Sequence, residues 1–152
     1  MTDPLDPAMP LQGEDNCYRG ELNWTSDAST DHDSDGCMDD SSEDLDDDND
    51  GMPDPADLGA PTAGEDYCAR GDLGWTSGPT TDYDSDGCRD AGEDTDDDGD
   101  GISDDDDTCP TGTLGWTPSA ETDHDSDGCE DAGEDWDDDN DSVDDVDDDC
   151  PR

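Results

Sequence analysis

Aspartates recur at alternate positions in six short stretches of this chain, and that spacing suits one kind of chemistry, the caging of a hard cation by oxygens. Asp82, Asp84, Asp86, Gly87, Asp90 and Glu93 fit D-x-D-x-D-G-x5-E, and Asp123, Asp125, Asp127, Gly128, Asp131 and Glu134 fit it again. Ca²⁺ takes six to eight oxygens at about 2.3 to 2.6 Å, and alternate carboxylates wrapped round a tight turn supply them. A main-chain carbonyl is expected at loop position seven, which is Cys88 or Cys129 here, and an acid at position twelve. A first copy keeps Asp31, Asp33, Asp35, Gly36, Cys37 and Asp39, but one extra residue moves the acid to Glu43 and leaves Ser42 at the twelfth place.

Each of these DSDG loops is followed by a second, more acidic one. The tail loops are Asp46, Asp48, Asp50, Asp54 and Asp57 with the carbonyl of Met52; Asp96, Asp98, Asp100, Asp104 and Asp107 with that of Ile102; and Asp137, Asp139, Asp141, Asp145 and Asp148 with that of Val143. In the last, Ser142 stands where the others carry glycine, at a cost on the order of 1 kcal/mol in a left-handed turn, so this site is expected to be the weakest. Any Asp-rich tract matches D-x-D-x-D easily, and the plain reading is a solvated acidic run. The DSDG loops are the more specific signal, because Trp, Cys and Gly recur in register with them.

The elements that must position these loops are three copies of one unit of about 41 residues. Aligned on cysteine, Cys17 to Cys37, Cys68 to Cys88 and Cys109 to Cys129 each span 20 positions and continue into an Asp-rich tail. The organisation read from this is the end of a preceding repeat or linker over 1–16, repeat 1 over 17–57, a linker with hinge character over 58–67, repeat 2 over 68–108, repeat 3 over 109–149, and the start of a following repeat over 150–152. The chain looks cut from a longer array.

Composition rules out a conventional core. Leu, Ile, Val and Phe number only ten of 152 residues, well below the roughly 20% under which a highly charged chain stays disordered. With 53 Asp and Glu against 4 Lys and Arg, the net charge is -49. Two carboxylates ~4 Å apart repel by about 4 kcal/mol near a protein surface, so a compact state needs added cations. No 3.6-residue stripe or period-two alternation runs along the chain, while Gly, Pro, Asp and Asn recur throughout. The expected fold is irregular, with little regular secondary structure: elongated tandem Ca²⁺-wrapped loops tied by disulfides, with about six or more ions in place of a hydrophobic core.

Seven cysteines without a C-x-x-C pair suggest a disulfide framework and an oxidising, extracellular compartment. Pairing within each 20-residue interval gives Cys17–Cys37, Cys68–Cys88 and Cys109–Cys129 and leaves Cys150 for a following module or another chain. The rival scheme joins Cys88 to Cys109 and Cys129 to Cys150 and strands one of the first three. No apolar run reaches the ~20 residues of a membrane span, and Met1 to Pro10 shows no signal peptide, so export would be encoded elsewhere.

These residues resemble the thrombospondin type 3 repeat family, whose tandem D-x-D-x-D-G-x-x-D loops wrap calcium ions and are tied by neighbouring disulfides. The likeness covers nearly the whole chain. It implies that the Asp residues are ligands, that ions act in place of a core, and that the module serves adhesion, matrix or spacer roles. The Leu-x-Trp-Thr segment before each DSDG loop stands outside that pattern, so ligands are carried over but partners are not. EF-hand and dockerin loops also use this spacing, but they need amphipathic flanking helices, for which the GWTS-like and poly-Asp flanks are unsuited.

Trp24, Trp75 and Trp116 recur with Leu22, Leu73 and Leu114, giving each unit one small apolar contact point beside the disulfide, or else a glycan- or partner-binding surface. His32 and His124, at loop position two, are read as surface residues. Asn23 and Asn140 lie in N-glycosylation sequons. The leading expectation is a non-enzymatic, extracellular, Ca²⁺-rigidified rod, spacer or fibre segment, self-assembling with neighbouring or identical chains and glycan-coated. The alternatives are a calcium-dependent adhesion module acting through its Trp segments and a disordered, ion-sequestering acidic protein. The charge opposes nucleic-acid binding, and no direct membrane insertion is expected.

Overall fold

The computed structural model describes residues 15–17, 19–39, 41–56 and 58–152, and among them there is no helix and no strand. Side chains explain this: aspartate oxygens capture nearby backbone N–H groups that a helix or sheet would need. Asp33, Asp48 and Asp98 each accept the N–H two residues on, from Asp35, Asp50 and Asp100, at 3.0, 3.1 and 3.2 Å. No helix of the described residues is long and apolar enough to cross a membrane.

Three disulfides are present, Cys17–Cys37, Cys68–Cys88 and Cys109–Cys129, each closing 20 positions, while Cys150 is free and exposed. Of the two pairings open to the sequence, the chain adopts the one internal to each interval.

What lies inside is unusual in composition. Among the described residues the buried apolar ones are Cys37, Ala69, Cys88 and Cys129, whereas thirteen aspartates are buried, Asp31, Asp47, Asp48, Asp50, Asp66, Asp82 and Asp123 almost completely. The hydrophobic residues stand outside: Leu22, Leu73 and Leu114 are exposed beside half-buried Trp24, Trp75 and Trp116, so the small apolar contact expected in each unit does not bury its leucine.

The chain divides into two compact units, Met1–Ser77 with Ser85–Arg89 and Gly78–Asp84 with Asp90–Arg152. The division falls inside repeat 2 because the Cys68–Cys88 disulfide and a bond from the Tyr67 N–H to the Asp86 carbonyl (2.7 Å) hold 85–89 to the first unit. Residues 58–67 do not act wholly as a spacer. The Asp66 N–H donates to the Pro53 carbonyl at 3.0 Å, and the Asp66 side chain is buried, so the last two residues belong to the folded unit.

Candidate metal centres

One hydrogen-bond frame recurs in all six loops. The position-nine N–H donates to the carbonyl just before position one: Asp39 to Thr30, Asp54 to Leu45, Asp90 to Thr81, Asp104 to Thr95, Asp131 to Thr122 and Asp145 to Trp136, at 2.8 to 3.1 Å. The position-nine carboxylate in turn accepts the position-two N–H, from His32, Asp47, Tyr83, Asp97, His124 and Asp138 respectively. The ninth aspartate, read from spacing as a ligand, therefore also clasps the loop shut.

Inside the frame, two residues take left-handed backbone conformations. Position six has φ between 75° at Ser142 and 101° at Gly101, as the glycine pattern anticipates. Position four is left-handed too, at Ser34, Asn49, Ser85, Gly99, Ser126 and Asn140 (φ 54° to 68°), which the alternation of aspartates alone does not reveal. Non-glycine residues resist this region by roughly 1–2 kcal/mol each, so the loops hold strain that must be offset at the turn. Position-seven N–H groups close the turn on the position-five carboxylate, as Cys37 does on Asp35 (2.7 Å), Met52 on Asp50 (2.6 Å), Cys88 on Asp86 (2.8 Å), Ile102 on Asp100 (2.7 Å), Cys129 on Asp127 (3.0 Å) and Val143 on Asp141 (2.9 Å).

The frame makes the alternate carboxylates converge. Oxygens of Asp31, Asp33 and Asp35 lie within 4.8 Å of one another, as do those of Asp46, Asp48 and Asp50. Of the residues read as the Asp82 loop, Asp86 and Cys88 belong to the first unit and Asp82, Asp84, Asp90 and Glu93 to the second. Crowding is visible in the acidities. Burial, and then the neighbouring Asp35 charge, pushes Asp33 up to about 6, and burial raises Asp46, Asp96, Asp100 and Asp125 above the usual carboxylate range. The last loop differs: Asp141, Ser142 and Val143 are exposed, and the N–H groups of Asp141 and Ser142 take both oxygens of Asp137.

Two residue classes that spacing did not single out enter these clusters. The first is Asp44 with its counterparts Asp94 and Asp135. Each gives one oxygen to the N–H two residues on and keeps a second, buried oxygen without a hydrogen-bond partner. Asp44 is pushed up to about 7 by burial and by Asp35 and Asp33, so it faces the first loop. Its signal in the sequence is the Glu-Asp pair repeated at 43–44, 93–94 and 134–135.

The second is Asp66, two residues before Cys68, as Asp107 precedes Cys109. Both carboxylates accept the N–H of that cysteine, at 2.6 and 2.7 Å, and both keep a buried oxygen without a partner. Burial, with Asp48, Asp50 and Asp54 nearby, pushes Asp66 up to about 8; Asp107, beside Asp98 and Asp100, rises to about 6. Asp66 thus holds in the first tail loop the place that Asp107 holds in the second. Asp57, chosen by spacing, lies outside the described residues. In the last tail loop Asp148 accepts the Cys150 N–H at 2.9 Å.

Two of the acids expected to close the DSDG loops, Glu43 and Glu134, accept backbone N–H groups. Glu43 accepts the N–H of Glu21, and Glu134 accepts those of Thr113 (2.9 Å) and Glu130 (3.0 Å). They tie the DSDG loop back to the segment after the first cysteine of the same repeat. His32 is half-buried rather than a plain surface residue, with Nε2 3.0 Å from the Gly71 carbonyl oxygen; Tyr83 donates its hydroxyl to the Gly112 carbonyl at 2.9 Å. Of the two sequons, Asn23 is exposed, whereas Asn140 sits at position four of the last loop with its amide donating to Asp125.

No protein-family model matches the chain, and no curated protein and no solved structure matches it either.

Proposed function

We propose that this chain is a calcium-binding structural repeat protein of the extracellular space, ordered by Ca²⁺ in its D-x-D-x-D-G loops and serving as a rod, spacer or fibre segment rather than as an enzyme. The single observation that carries this reading is that, among the described residues, thirteen aspartates are buried against four apolar residues. Each buried, unpaired carboxylate costs several kcal/mol, and the 4 Lys and Arg of the sequence cannot neutralise 53 acids. Divalent ions on the converging oxygens supply the missing charge, and their oxygen-only surroundings suit Ca²⁺ or Mg²⁺ rather than Zn²⁺. Several crowded carboxylates in an irregular loop suit Ca²⁺, which tolerates flexible cages, over Mg²⁺, which demands octahedral geometry. Three disulfides are in keeping with an oxidising compartment.

A second reading, a calcium-dependent adhesion module, draws support from the exposed Leu22, Leu73 and Leu114 beside the recurring tryptophans. Trp75→Ala abolishing partner binding with Ca²⁺ affinity intact would favour it.

The experiment is a calorimetric titration of the oxidised, chelator-stripped chain with Ca²⁺ and with Mg²⁺, following its hydrodynamic radius. Stoichiometric Ca²⁺ uptake at micromolar-to-millimolar affinity with a change of shape is expected. Weak, unselective uptake without ordering would leave a disordered acidic ion-sequestering chain instead.

A further inference from the structure

Between the two loops of each repeat lies another group of carboxylates, built from the ninth residue of the DSDG loop and the second residue of the tail loop. In repeat 1 these are Asp39 and Asp47, joined by Asp44, with oxygens within 4.8 Å of one another, the three residues being 2%, 1% and 8% exposed. Arg70 reaches into this group: its Nε lies 3.3 Å from Asp39 Oδ2 and 3.0 Å from Asp47 Oδ2. One oxygen each of Asp44 and Asp47 remains buried there without a hydrogen-bond partner, so the guanidinium does not saturate the group.

Repeat 3 repeats the arrangement. Arg152 contacts Asp131 Oδ2 at 3.2 Å through a terminal guanidinium nitrogen and Asp138 Oδ2 at 2.6 Å through Nε, and Asp138 keeps a buried oxygen without a partner. Each arginine stands two residues after a cysteine, Cys68 or Cys150. The matching position after Cys109 is Thr111, which carries no charge. Gly112 confirms the register, since its N–H donates to Asp98 Oδ2 at 2.8 Å as that of Gly71 donates to Asp48 Oδ2 at 2.9 Å. Repeat 2 has the same acids, Asp90, Asp94 and Asp97, and the second oxygens of Asp94 and Asp97 are buried without partners.

We propose that each repeat carries a further cation site between its two loops, filled by a guanidinium in repeats 1 and 3 and by a Ca²⁺ ion in repeat 2. The inference rests on the calcium reading of the loops. A guanidinium is a monovalent, planar donor that can pair with two carboxylates at once, as Arg70 does through Nε and Arg152 does through Nε and a terminal nitrogen. Where it is missing, two or three crowded carboxylates offer the hard oxygens that Ca²⁺ takes, and a divalent ion offsets more of their repulsion. The arginines are then built-in cations at positions where the remaining repeat depends on calcium in solution.

The test counts ions. Equilibrium dialysis of the full oxidised chain at saturating Ca²⁺ compares wild type with Arg70→Thr and Thr111→Arg. Arg70→Thr is expected to bind one more Ca²⁺ and Thr111→Arg one fewer; Asp97→Asn should lose the same ion as Thr111→Arg, so the pair together lose no more than either alone. Unchanged counts in a wild type that does bind Ca²⁺ overturn this inference and leave the calcium reading standing, whereas no stoichiometric binding by wild type overturns both. If Arg70→Thr fails to fold, Thr111→Arg decides by itself, because it introduces only what the sister repeats already carry.

Discussion

The Asp66 carboxylate lies in the space that a Cβ on Gly87 would occupy. Asp66 belongs with the first tail loop and Gly87 is a left-handed turn residue (φ 89°), and the lack of a side chain at Gly87 leaves the room that the Asp66 carboxylate fills. Asp107 stands in the same relation to Gly128, whereas nothing lies within 4 Å of a Cβ at Gly101. That difference explains why serine is found at position six in a tail loop, at Ser142, and not in a DSDG loop.

Gly87→Ala should therefore be much more damaging than Gly101→Ala. Both meet the left-handed penalty of about 1 kcal/mol or more, but only the first must also displace the Asp66 carboxylate. Denaturant unfolding with Ca²⁺ present would check this; equal losses would show that the Asp66 contact carries no energy.

Asp66→Asn should weaken the ion of the first tail loop by about tenfold, or about 1.4 kcal/mol, since it removes a charge from a buried ligand set. A larger effect of Asp57→Asn than of Asp66→Asn would favour Asp57, the residue that spacing selects, over Asp66. Competition with a chromophoric chelator reads either result.

Calcium affinity should rise with pH. Burial pushes Asp66 up to about 8, Asp44 and Asp54 to about 7, and Asp33, Asp97 and Asp107 to about 6, against an ordinary value of 3.8. Without metal, the folded chain holds protons that the unfolded chain has released. Its stability is fullest below pH ~4 and falls as pH climbs through 6 to 8. Ca²⁺ displaces those protons, so binding at pH 6.5 should release protons, read as a dependence of the calorimetric heat on buffer ionisation enthalpy. Affinity at pH 5 should lie at least about tenfold below that at pH 8.

Removing a disulfide should loosen a loop it anchors. Cys88 stands at position seven, its N–H 2.8 Å from Asp86 Oδ1, and its bond to Cys68 closes 20 positions. The Cys68→Ser, Cys88→Ser pair should cost about 3 kcal/mol in the calcium-loaded chain and weaken Ca²⁺ at the Asp82 loop. The denaturant midpoint at fixed free Ca²⁺ and the chelator titration read the two effects.

By itself the sequence determined what local chemistry determines: the six loops, the left-handed glycines at five of their sixth positions, the three copies, and the absence of helix and strand among the described residues. Those features depend on residues within about a dozen positions of one another, where Asp, Gly and Asn act on their own backbone. Cysteine spacing narrowed the disulfides to two schemes but could not choose, because either closes short loops at similar entropic cost. Only the tertiary structure decided which acids face the clusters. Asp66, near the end of the 58–67 insertion, reaches back to the first tail loop, Glu43 turns back 22 positions to the Glu21 N–H, and Arg70 crosses 23 positions to Asp47. In a chain where more than a third of the residues are charged, spacing offers many equivalent carboxylates, and packing against the next repeat is what distinguishes them.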